Sequence, residues 1–394
     1  MLPKVSQSPV DPGFVQNPYP FYDRARATGQ LVHWSDYKMP AATTHAAVQA
    51  ILRDRRFGRE VPAELATAPP PHLAPFYAVE DHSMLDAEPP RHTRLRGLVN
   101  RAFTSRRIAS LSPWIEVLCH DLIDGFPAEP FDLIPACCAR VPVLTIARLL
   151  GVPADMAPQL LRWSHDMVAM YQSTRTRAVE DRAAEAATDF ATYIASYADT
   201  RRTAPADDLI TDLLKAEAEG DRLSTPELVT TCILLLNAGH EATVHALGNG
   251  IKALIETGTG TACTTPEGAE QAAEEILRHD PPLHVFTRYA YEEIDLHGHR
   301  FQRGDQVALL LGAAGRDPDV WEQPHDFDPT RPPKPHAAFG AGLHFCLGAP
   351  LARLEMRLAL QVLFTRCPNL RLAEPPVYGD TYHFHGLTRL QVTA

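Results

Sequence analysis

Near the C-terminus, residues Phe339 to Gly348 form a glycine-rich loop, FGAGLHFCLG, that presents one cysteine just before a helical pattern. Gly340 and Gly342 allow the backbone to turn tightly and to approach a flat ligand closely. Cys346 follows them at the start of the predicted helix, where the positive end of the helix dipole favours thiolate over thiol. A thiolate is a soft, electron-rich ligand that suits an iron centre. The sequence therefore predicts that Cys346 binds a metal.

The same loop resembles the haem-ligand loop of the cytochrome P-450 family, whose pattern is Phe-Gly-x-Gly-x-His-x-Cys-x-Gly. Every fixed position of that pattern is filled in this chain. The resemblance implies that Cys346 is the axial thiolate ligand of haem b, that Phe339 packs beside its sulfur, and that His344 reaches a haem propionate. The alternative for a lone cysteine is a buried core residue, which does not account for the complete pattern.

Basic residues elsewhere in the chain are candidates to meet the two haem propionates. A buried carboxylate must be neutralised, because an unpaired charge inside a protein is costly. His92 and Arg96 are four residues apart in a predicted helix and therefore lie on one face. Arg288 lies ten residues after Arg278, as in the family. The resemblance implies that these three residues and His344 bind the propionates; the alternative for each alone is a solvent-exposed basic side chain.

Glu275 and Arg278 place a carboxylate and a guanidinium on one face of a predicted helix. Taken alone, such a pair is commonly an exposed surface pair that contributes little. Its position, about 70 residues before the cysteine loop, matches the Glu-x-x-Arg element of the family. The resemblance implies a buried pair that ties this helix to the proline-rich segment before the loop through Arg331. We expect these three residues to have a structural role.

A long central helix is predicted from Thr225 to about Glu256. Thr225-Pro226-Glu227 is a start signal, with proline at the first helical position and an acidic residue in the first turn. The stretch from Cys232 to Leu236 is apolar throughout, which indicates a buried helix.

Residues 238–243 of this helix, AGHEAT, resemble the part that faces the iron in the family. The small Ala238 would let the helix pass close to bound oxygen, and Glu241 matches the acid that helps to bring protons there. The family usually carries threonine next, where this chain has Ala242. Thr243 lies one place later, rotated by about 100° around the helix, so we do not expect it to substitute directly. Ordered water or a substrate hydroxyl is one hypothesis for the gap; a helix kink with a water network is the other.

Eight residues are expected by position near the substrate pocket: Met84, Leu85, Leu234, Leu235, His284, Val285, Phe286 and Phe384. Most are apolar, as a site for a hydrophobic molecule requires. Each could equally belong to the core. His284 would be an unusual polar group in such a pocket and would fit a substrate that carries an oxygen function.

The chain has 394 residues, of which 45% are hydrophobic, so it can bury a large core. Helical periodicity dominates residues 106–255, and a final helix is predicted from Ala349 to Cys367. Residues 258–268, rich in Gly, Thr and Pro, predict a loop between helices. The resemblance implies a mainly α fold with small β-sheets, the triangular-prism cytochrome P-450 fold, as a single haem domain over residues 1–394.

Composition excludes several classes of protein. A formal net charge of −11 argues against nucleic-acid binding. The seven scattered cysteines fit reduced thiols in a cytoplasm better than a disulfide framework. No apolar run is long enough to cross a membrane, and the start lacks the pattern of a signal peptide. We therefore expect a cytoplasmic protein with no membrane partner. We also expect a monomer.

The resemblance implies a monooxygenase that inserts one atom of O2 into a small to medium hydrophobic molecule. Since no flavin or iron–sulfur domain fits in the chain, a ferredoxin and a ferredoxin reductase are expected as electron donors. One alternative is a peroxide-driven oxygenase, which the missing threonine keeps open and Glu241 argues against. Another is a haem protein that only senses a ligand, which an acid on the central helix argues against.

Overall fold

The structure is a computed structural model that describes residues 1–171, 175–218, 221–380 and 384–394. It is mainly helical with several small sheets, as predicted. The chain divides into two compact units. Unit 1 comprises residues 1–65, 115–139 and 242–394, and unit 2 comprises residues 66–114 and 140–241. A single haem domain over residues 1–394 stays a prediction.

The α-helices of the described ranges are α1 (Pro12–Gln16), α2 (Tyr19–Thr28), α3 (His45–Arg53), α4 (Ala74–Glu80), α5 (Arg91–Ala102), α6 (Ser105–Ser110), α7 (Ser112–Asp124), α8 (Arg140–Leu150), α9 (Ala157–Val168), α10 (Arg177–Thr203), α11 (Leu209–Lys215), α12 (Thr225–Glu256), α13 (Pro266–His279), α14 (Leu311–Gly315) and α15 (Ala349–Arg366). The strands are β1 (Lys4–Val5), β2 (Leu31–Trp34), β3 (Met39–Ala42), β4 (Phe57–Gly58), β5 (Phe131–Asp132), β6 (Glu217–Ala218), β7 (Asp221–Arg222), β8 (Val285–Ala290), β9 (Ile294–Leu296), β10 (His299–Phe301), β11 (Gln306–Leu310), β12 (Arg371–Leu372), β13 (Val377–Tyr378), β14 (Leu387–Arg389) and β15 (Gln391–Thr393).

The largest sheet lies in unit 1 and has the strand order β1-β2-β3-β11-β8-β4. Side chains alternate between its faces: Ala42 and Leu309 pack into one apolar cluster, whereas Ala41 and Ala308 pack into another. Strand β8 is therefore held between β11 and β4 inside a sheet that is apolar on both sides. This rigid position matters because β8 carries Phe286 and Arg288.

Helix α12 begins at a capping box formed by Ser224 and Glu227. The backbone N–H of Ser224 donates to Glu227 Oε2 at 2.8 Å, and the backbone N–H of Glu227 donates to Ser224 Oγ at 3.4 Å. The helix runs without interruption to Glu256. The predicted bounds of this helix are thus confirmed, and α15 ends one residue before its predicted end.

The prediction of a loop over residues 258–268 is wrong in its second half. Residues Gly260–Thr264 form a 3-10 turn and α13 already begins at Pro266. The reason is local: Thr265 accepts a hydrogen bond from the backbone N–H of Gly268 at 3.1 Å, and proline suits the first helical position.

Within the part of the chain that the structure describes, no helix combines the length and hydropathy needed to cross a bilayer.

Candidate active site

The cysteine loop in unit 1 is shaped by two glycines in the left-handed region. Gly340 and Gly342 both have a φ of 68°, a conformation that other residues adopt at a cost. A Cβ on Gly342 would lie only 2.4 Å from the carbonyl oxygen of Leu52, so the loop packs directly on backbone. The backbone N–H of Cys346 donates to Phe339 O at 2.9 Å and closes the loop.

Cys346 differs in accessibility from the six other cysteines. Those six are buried, whereas Cys346 is only partly buried. It lies three residues before Ala349, the first residue of α15. An accessible thiol close to a helix N-terminus is placed to bind a metal as thiolate.

Strand β8 lies beside this loop. A Cβ on Gly340 would touch the ring of Phe286 at 3.4 Å, and the guanidinium of Arg288 lies 5.8 Å from the centre of the same ring. Arg288 is buried, and its Nη1 donates to Thr287 O at 2.7 Å. The strand thus holds the buried positive charge of Arg288 two residues after Phe286, which contacts the loop. His344, in the 3-10 turn before the cysteine, is partly exposed.

Phe339 packs against basic and aromatic side chains at the other end of the loop. The guanidinium of Arg353 lies 4.6 Å from its ring centre, and the ring of Phe345 lies 6.3 Å away. Arg353 is itself paired with Glu274, since its Nε lies 2.5 Å from Glu274 Oε1. These contacts connect the loop to α15 and α13.

One face of α12 remains accessible in the middle of a buried helix. Leu234, Ala238, Ala242 and His245 are exposed or partly exposed, whereas Ile233, Leu235, Leu236, Thr243, Val244 and Ala246 are buried. These four residues are spaced by four, four and three positions, so they form one stripe along the helix; Gly239 and Glu241 are also partly exposed and lie outside it. We call these four residues the accessible stripe. Ala238 and Ala242, which the sequence assigned to the site, both belong to it.

Thr243 lies off the accessible stripe, with only 5% of its surface exposed. This agrees with the expectation that a residue one place after Ala242 points in another direction.

Glu241 lies beside two histidines of unit 2. Its Oε1 is 3.0 Å from Nε2 of His165 on α9 and 3.2 Å from Nε2 of His240. Burial alone would raise the pKa of Glu241, but the two imidazoles outweigh it and hold that pKa well below its usual range. The same contact raises the pKa of His165. The carboxylate is therefore charged, and sequence reasoning missed both of its neighbours.

Helix α5 of unit 2 carries His92 and Arg96. His92 is 2% exposed and Arg96 is partly buried, although the residues around them at positions 91, 93 and 97 are exposed. The pair therefore lies on the inward face of the helix, as its spacing predicts.

Glu275, Arg278 and Arg331 come together in unit 1. Two hydrogen bonds of 2.7 Å join Arg278 to Glu275, and Arg331 Nε lies 3.3 Å from Glu275 Oε1. Arg278 also donates to the carbonyl oxygens of Pro324 and Asp326 at 2.7 and 3.0 Å. The side chains of Glu275 and Arg278 are 1% and 3% exposed. This buried group ties α13 to the segment that leads into the cysteine loop.

Three predicted pocket residues are more enclosed than the others. His284 has no exposed surface, so its assignment to a pocket surface is corrected. Val285 packs in the core cluster that contains Trp34 and Leu235 lies off the accessible stripe, but both keep some exposed surface, and their place in a pocket stays a prediction. The remaining predicted pocket residues are all partly exposed: Met84, Leu85, Leu234, Phe286 and Phe384.

His284 instead belongs to a polar cluster around Asp280. Asp280 Oδ1 accepts hydrogen bonds from Tyr19 Oη at 2.6 Å and from His385 Nδ1 at 2.9 Å, and lies 3.3 Å from His284 Nε2. Asp280 Oδ2 accepts from Tyr378 Oη at 2.8 Å. Four donors thus surround one buried carboxylate.

The hydrogen-bond donors around Asp280 determine which groups of this cluster are charged. Burial alone would raise the pKa of Asp280, but His385 and His284 hold it well below the usual range. Burial lowers the pKa of His284 to about 4, and nearby His385 adds to the effect. A neutral His284 fits the geometry, since Nε2 can donate to Asp280 while Nδ1 accepts from Tyr22 Oη at 2.9 Å.

His245 is a residue of the accessible stripe that sequence reasoning did not single out. It is the last residue of the accessible stripe, and its ring lies 5.7 Å from that of Phe384. Gly386 is needed beside it, because a Cβ there would lie 1.9 Å from His245 Nδ1. The spacing of three from Ala242 and seven from Ala238 was a signal that could have identified it.

Comparison with known proteins of similar sequence and structure identifies the family of this chain. The family model described as Cytochrome P450 matches residues 269–370. The chain is 35% identical to the biotin biosynthesis cytochrome P450 of Bacillus subtilis (strain 168), over 99% of each chain. It is 36% identical to the vitamin D(3) 25-hydroxylase of Pseudonocardia autotrophica, over 96% of this chain and 94% of that protein.

Among solved structures, P450BioI in complex with an acyl carrier protein ligated to hexadec-9Z-enoic acid matches with a TM-score of 0.90 and 35% identity, over 97% of this chain and 99% of that one. The polyketide synthase cytochrome P450 PksS of Bacillus subtilis 168 matches with a TM-score of 0.88 and 33% identity, over 98% and 99%. The similarity to these relatives extends over nearly the whole chain and is not limited to the cysteine loop. The chain therefore belongs to the cytochrome P450 family of monooxygenases, oxidoreductases that bind haem through a cysteine thiolate.

Proposed function

We propose that this chain is a haem-thiolate monooxygenase whose iron ligand is Cys346, acting on a small to medium hydrophobic organic substrate. The observation that carries the proposal is the accessible thiol of Cys346, on a loop bent by Gly340 and Gly342 beside the N-terminus of α15. The six buried cysteines offer no comparable ligand. Burial raises the pKa of several of them, including Cys119 and Cys232, which disfavours their thiolates.

The residues around this loop fit a haem. Its propionates require cations in a protein interior, and Arg288 is a buried guanidinium on the strand that touches the loop. We propose Arg288 and His344 of unit 1, and His92 and Arg96 of unit 2, as the propionate partners. Phe339 would lie beside the sulfur, where an apolar ring limits the access of water.

When bound, the haem supplies the activation of O2 and the transfer of one oxygen atom to the substrate. The chain supplies the iron ligand and the surroundings of the cofactor. Cys346 donates electron density as thiolate. Ala238 and Ala242 keep side-chain volume off the accessible stripe, so that this face can approach the cofactor closely.

Proton delivery is assigned to Glu241 without a neighbouring threonine hydroxyl. Ala242 offers no hydroxyl on the accessible stripe, and Thr243 is buried off it. We propose that ordered water or a hydroxyl of the substrate takes the place of the missing hydroxyl in the proton path that passes the Glu241 carboxylate. Leu234, Phe286 and Phe384 are proposed to contact the substrate, with Met84 and Leu85 from unit 2.

Electrons are proposed to come from a ferredoxin and its reductase. The main alternative is turnover by hydrogen peroxide, which the alanine at position 242 keeps open. P450BioI was crystallised with an acyl carrier protein, so a carrier-bound substrate belongs in the substrate screen beside free compounds.

The test begins by screening compounds for the shift of the Soret band that accompanies substrate binding. Compounds that cause this shift are then incubated with the enzyme under oxygen-18 gas, together with ferredoxin, reductase and reduced nicotinamide cofactor. We expect product that carries one oxygen-18 atom per molecule and needs both redox proteins. Equal turnover with hydrogen peroxide alone would replace the ferredoxin proposal, and product without oxygen-18 would overturn the monooxygenase proposal.

A further inference from the structure

Three groups with metal-ligand chemistry meet where α9 lies beside α12 in unit 2. They are His165, His240 and Glu241; each offers one ligand atom, and these atoms lie within 4.8 Å of one another. The carboxylate oxygen is 3.0 Å from the first imidazole nitrogen and 3.2 Å from the second.

The buried member of this group, His240, points an unsatisfied nitrogen at the carboxylate. The residue is 1% exposed, and its Nδ1 lies 3.0 Å from the carbonyl oxygen of Leu236. A proton on Nδ1 is donated to that carbonyl, which leaves a lone pair on Nε2. Nε2 is fully enclosed, and no group of the described residues meets hydrogen-bond geometry with it, although Glu241 Oε1 lies 3.2 Å away. Either a second proton on the ring or a bound cation satisfies both groups.

We propose that His165, His240 and Glu241 form a binding site for a zinc ion or a similar transition-metal cation. Two imidazoles and one carboxylate, with a fourth position open, are a common zinc-binding set. Tetrahedral zinc bonds of ~2.0–2.1 Å place ligand atoms about 3.3 Å apart. The observed distances of 3.0 and 3.2 Å are close to this value.

The surroundings also match those of a metal site. The Nδ1–H of His240 bonded to a backbone carbonyl is the outer contact that usually orients a metal-bound imidazole. His165 has a 60% exposed side chain, which gives the ion a route from solvent and allows water to fill the fourth position. The site is thus enclosed on the α12 side and open on the α9 side.

Occupancy of this site would reversibly inhibit the enzyme. The ion would hold Glu241 and remove it from proton delivery. This consequence rests on the proposed function, whereas binding of the ion itself does not.

The test uses the haem-loaded enzyme and zinc alone. Equilibrium dialysis against chelator-buffered zinc, followed by elemental analysis, gives the stoichiometry and dissociation constant. The variants H165A and E241Q each remove one ligand. H72A is the matched control: His72 Nε2 lies 2.7 Å from Glu180 Oε2, but the other neighbour of that carboxylate is Arg175, which cannot bind a metal.

We expect one zinc ion per wild-type chain. Binding to H165A and to E241Q should be weaker by at least about tenfold, since even the loss of an outer contact costs 10- to 100-fold, and binding to H72A should be unchanged. Zinc should also lower product formation by wild type and not by H165A. No zinc on the wild type, or equal affinity in H165A, would overturn the site. If zinc binds as expected and turnover is unaffected, the site stands and the role of Glu241 in proton delivery is overturned.

Discussion

At the scale of single residues, Ala242 is where this chain departs from the usual threonine of the cytochrome P450 family. It lies on the accessible stripe of α12, where a hydroxyl is usual, and the next residue, Thr243, is 5% exposed and turned away. The sequence identified this departure, since position and residue type were enough. It could not identify His165 as the neighbour of Glu241, because the two are 76 residues apart and meet only when α9 packs beside α12.

Adding the missing hydroxyl tests how protons are ordered. We expect A242T to form no more product per electron consumed than wild type with the substrate identified by spectral screening, because the new side chain displaces the water or substrate hydroxyl that already occupies this place. The measurement is the amount of product formed per reduced nicotinamide cofactor consumed, at saturating substrate. A sharp rise in coupling would show that the wild-type site lacks a proton-ordering group.

At the scale of elements, the buried group of Glu275, Arg278 and Arg331 holds α13 against the segment before the cysteine loop. Glu275 accepts hydrogen bonds from Arg278, Arg331 and the backbone N–H of Asp328. A guanidinium in this position depends on its carboxylate, since an uncompensated buried charge is strongly destabilising.

Neutralising this carboxylate should destabilise the fold. E275Q keeps the shape and removes the charge, and we expect the free energy of unfolding to fall by about 3–5 kcal/mol, measured by urea denaturation of the haem-loaded protein. The control is E256Q, which breaks the more exposed Lys252–Glu256 pair of 2.9 Å and should cost at most about 1 kcal/mol. Equal losses in the two variants would contradict the assigned structural role.

Element bounds were predictable where local signals were strong. The Thr225-Pro226-Glu227 start located α12 well, and α15 was located to within one residue. The turn at Gly260–Thr264 was hidden because Gly and Thr are weak helix formers. The cap formed by Thr265 marks the start of α13 instead. Pocket residues were least predictable: Val285 and Leu235 are apolar like their accessible neighbours, and only packing decides which side of a strand or helix is enclosed.

At the scale of the whole molecule, the Asp280 cluster makes the stability of unit 1 depend on pH. The pKa of His284 falls from 6.5 to about 4 on folding. Between these values the unfolded chain binds a proton that the folded chain excludes, so stability is lost as pH falls from 6.5 towards 4. Asp280, whose pKa is lowered, keeps its contribution above the pKa of an unfolded aspartate and loses it only at more acidic pH.

The free energy of unfolding should therefore fall with acid inside this window. One such histidine contributes a slope of about 1.4 kcal/mol per pH unit. H284Q keeps an amide that can bond to Tyr22 and Asp280 but cannot titrate, so its profile between pH 6.5 and 4 should be flatter. Urea denaturation at a series of pH values measures both slopes, and the slopes are compared because the substitution changes stability at every pH. Parallel profiles for wild type and H284Q would contradict a neutral, buried His284.

The central claim is that the Cys346 thiolate binds haem iron. The most direct measurement is the absorption difference spectrum of the reduced, carbon-monoxide-treated protein for wild type and C346S, with C367S, at a buried cysteine, as control. We predict the band typical of thiolate coordination in wild type and C367S, and its loss in C346S. A wild-type protein without that band, or a C346S variant that keeps it, would contradict the account.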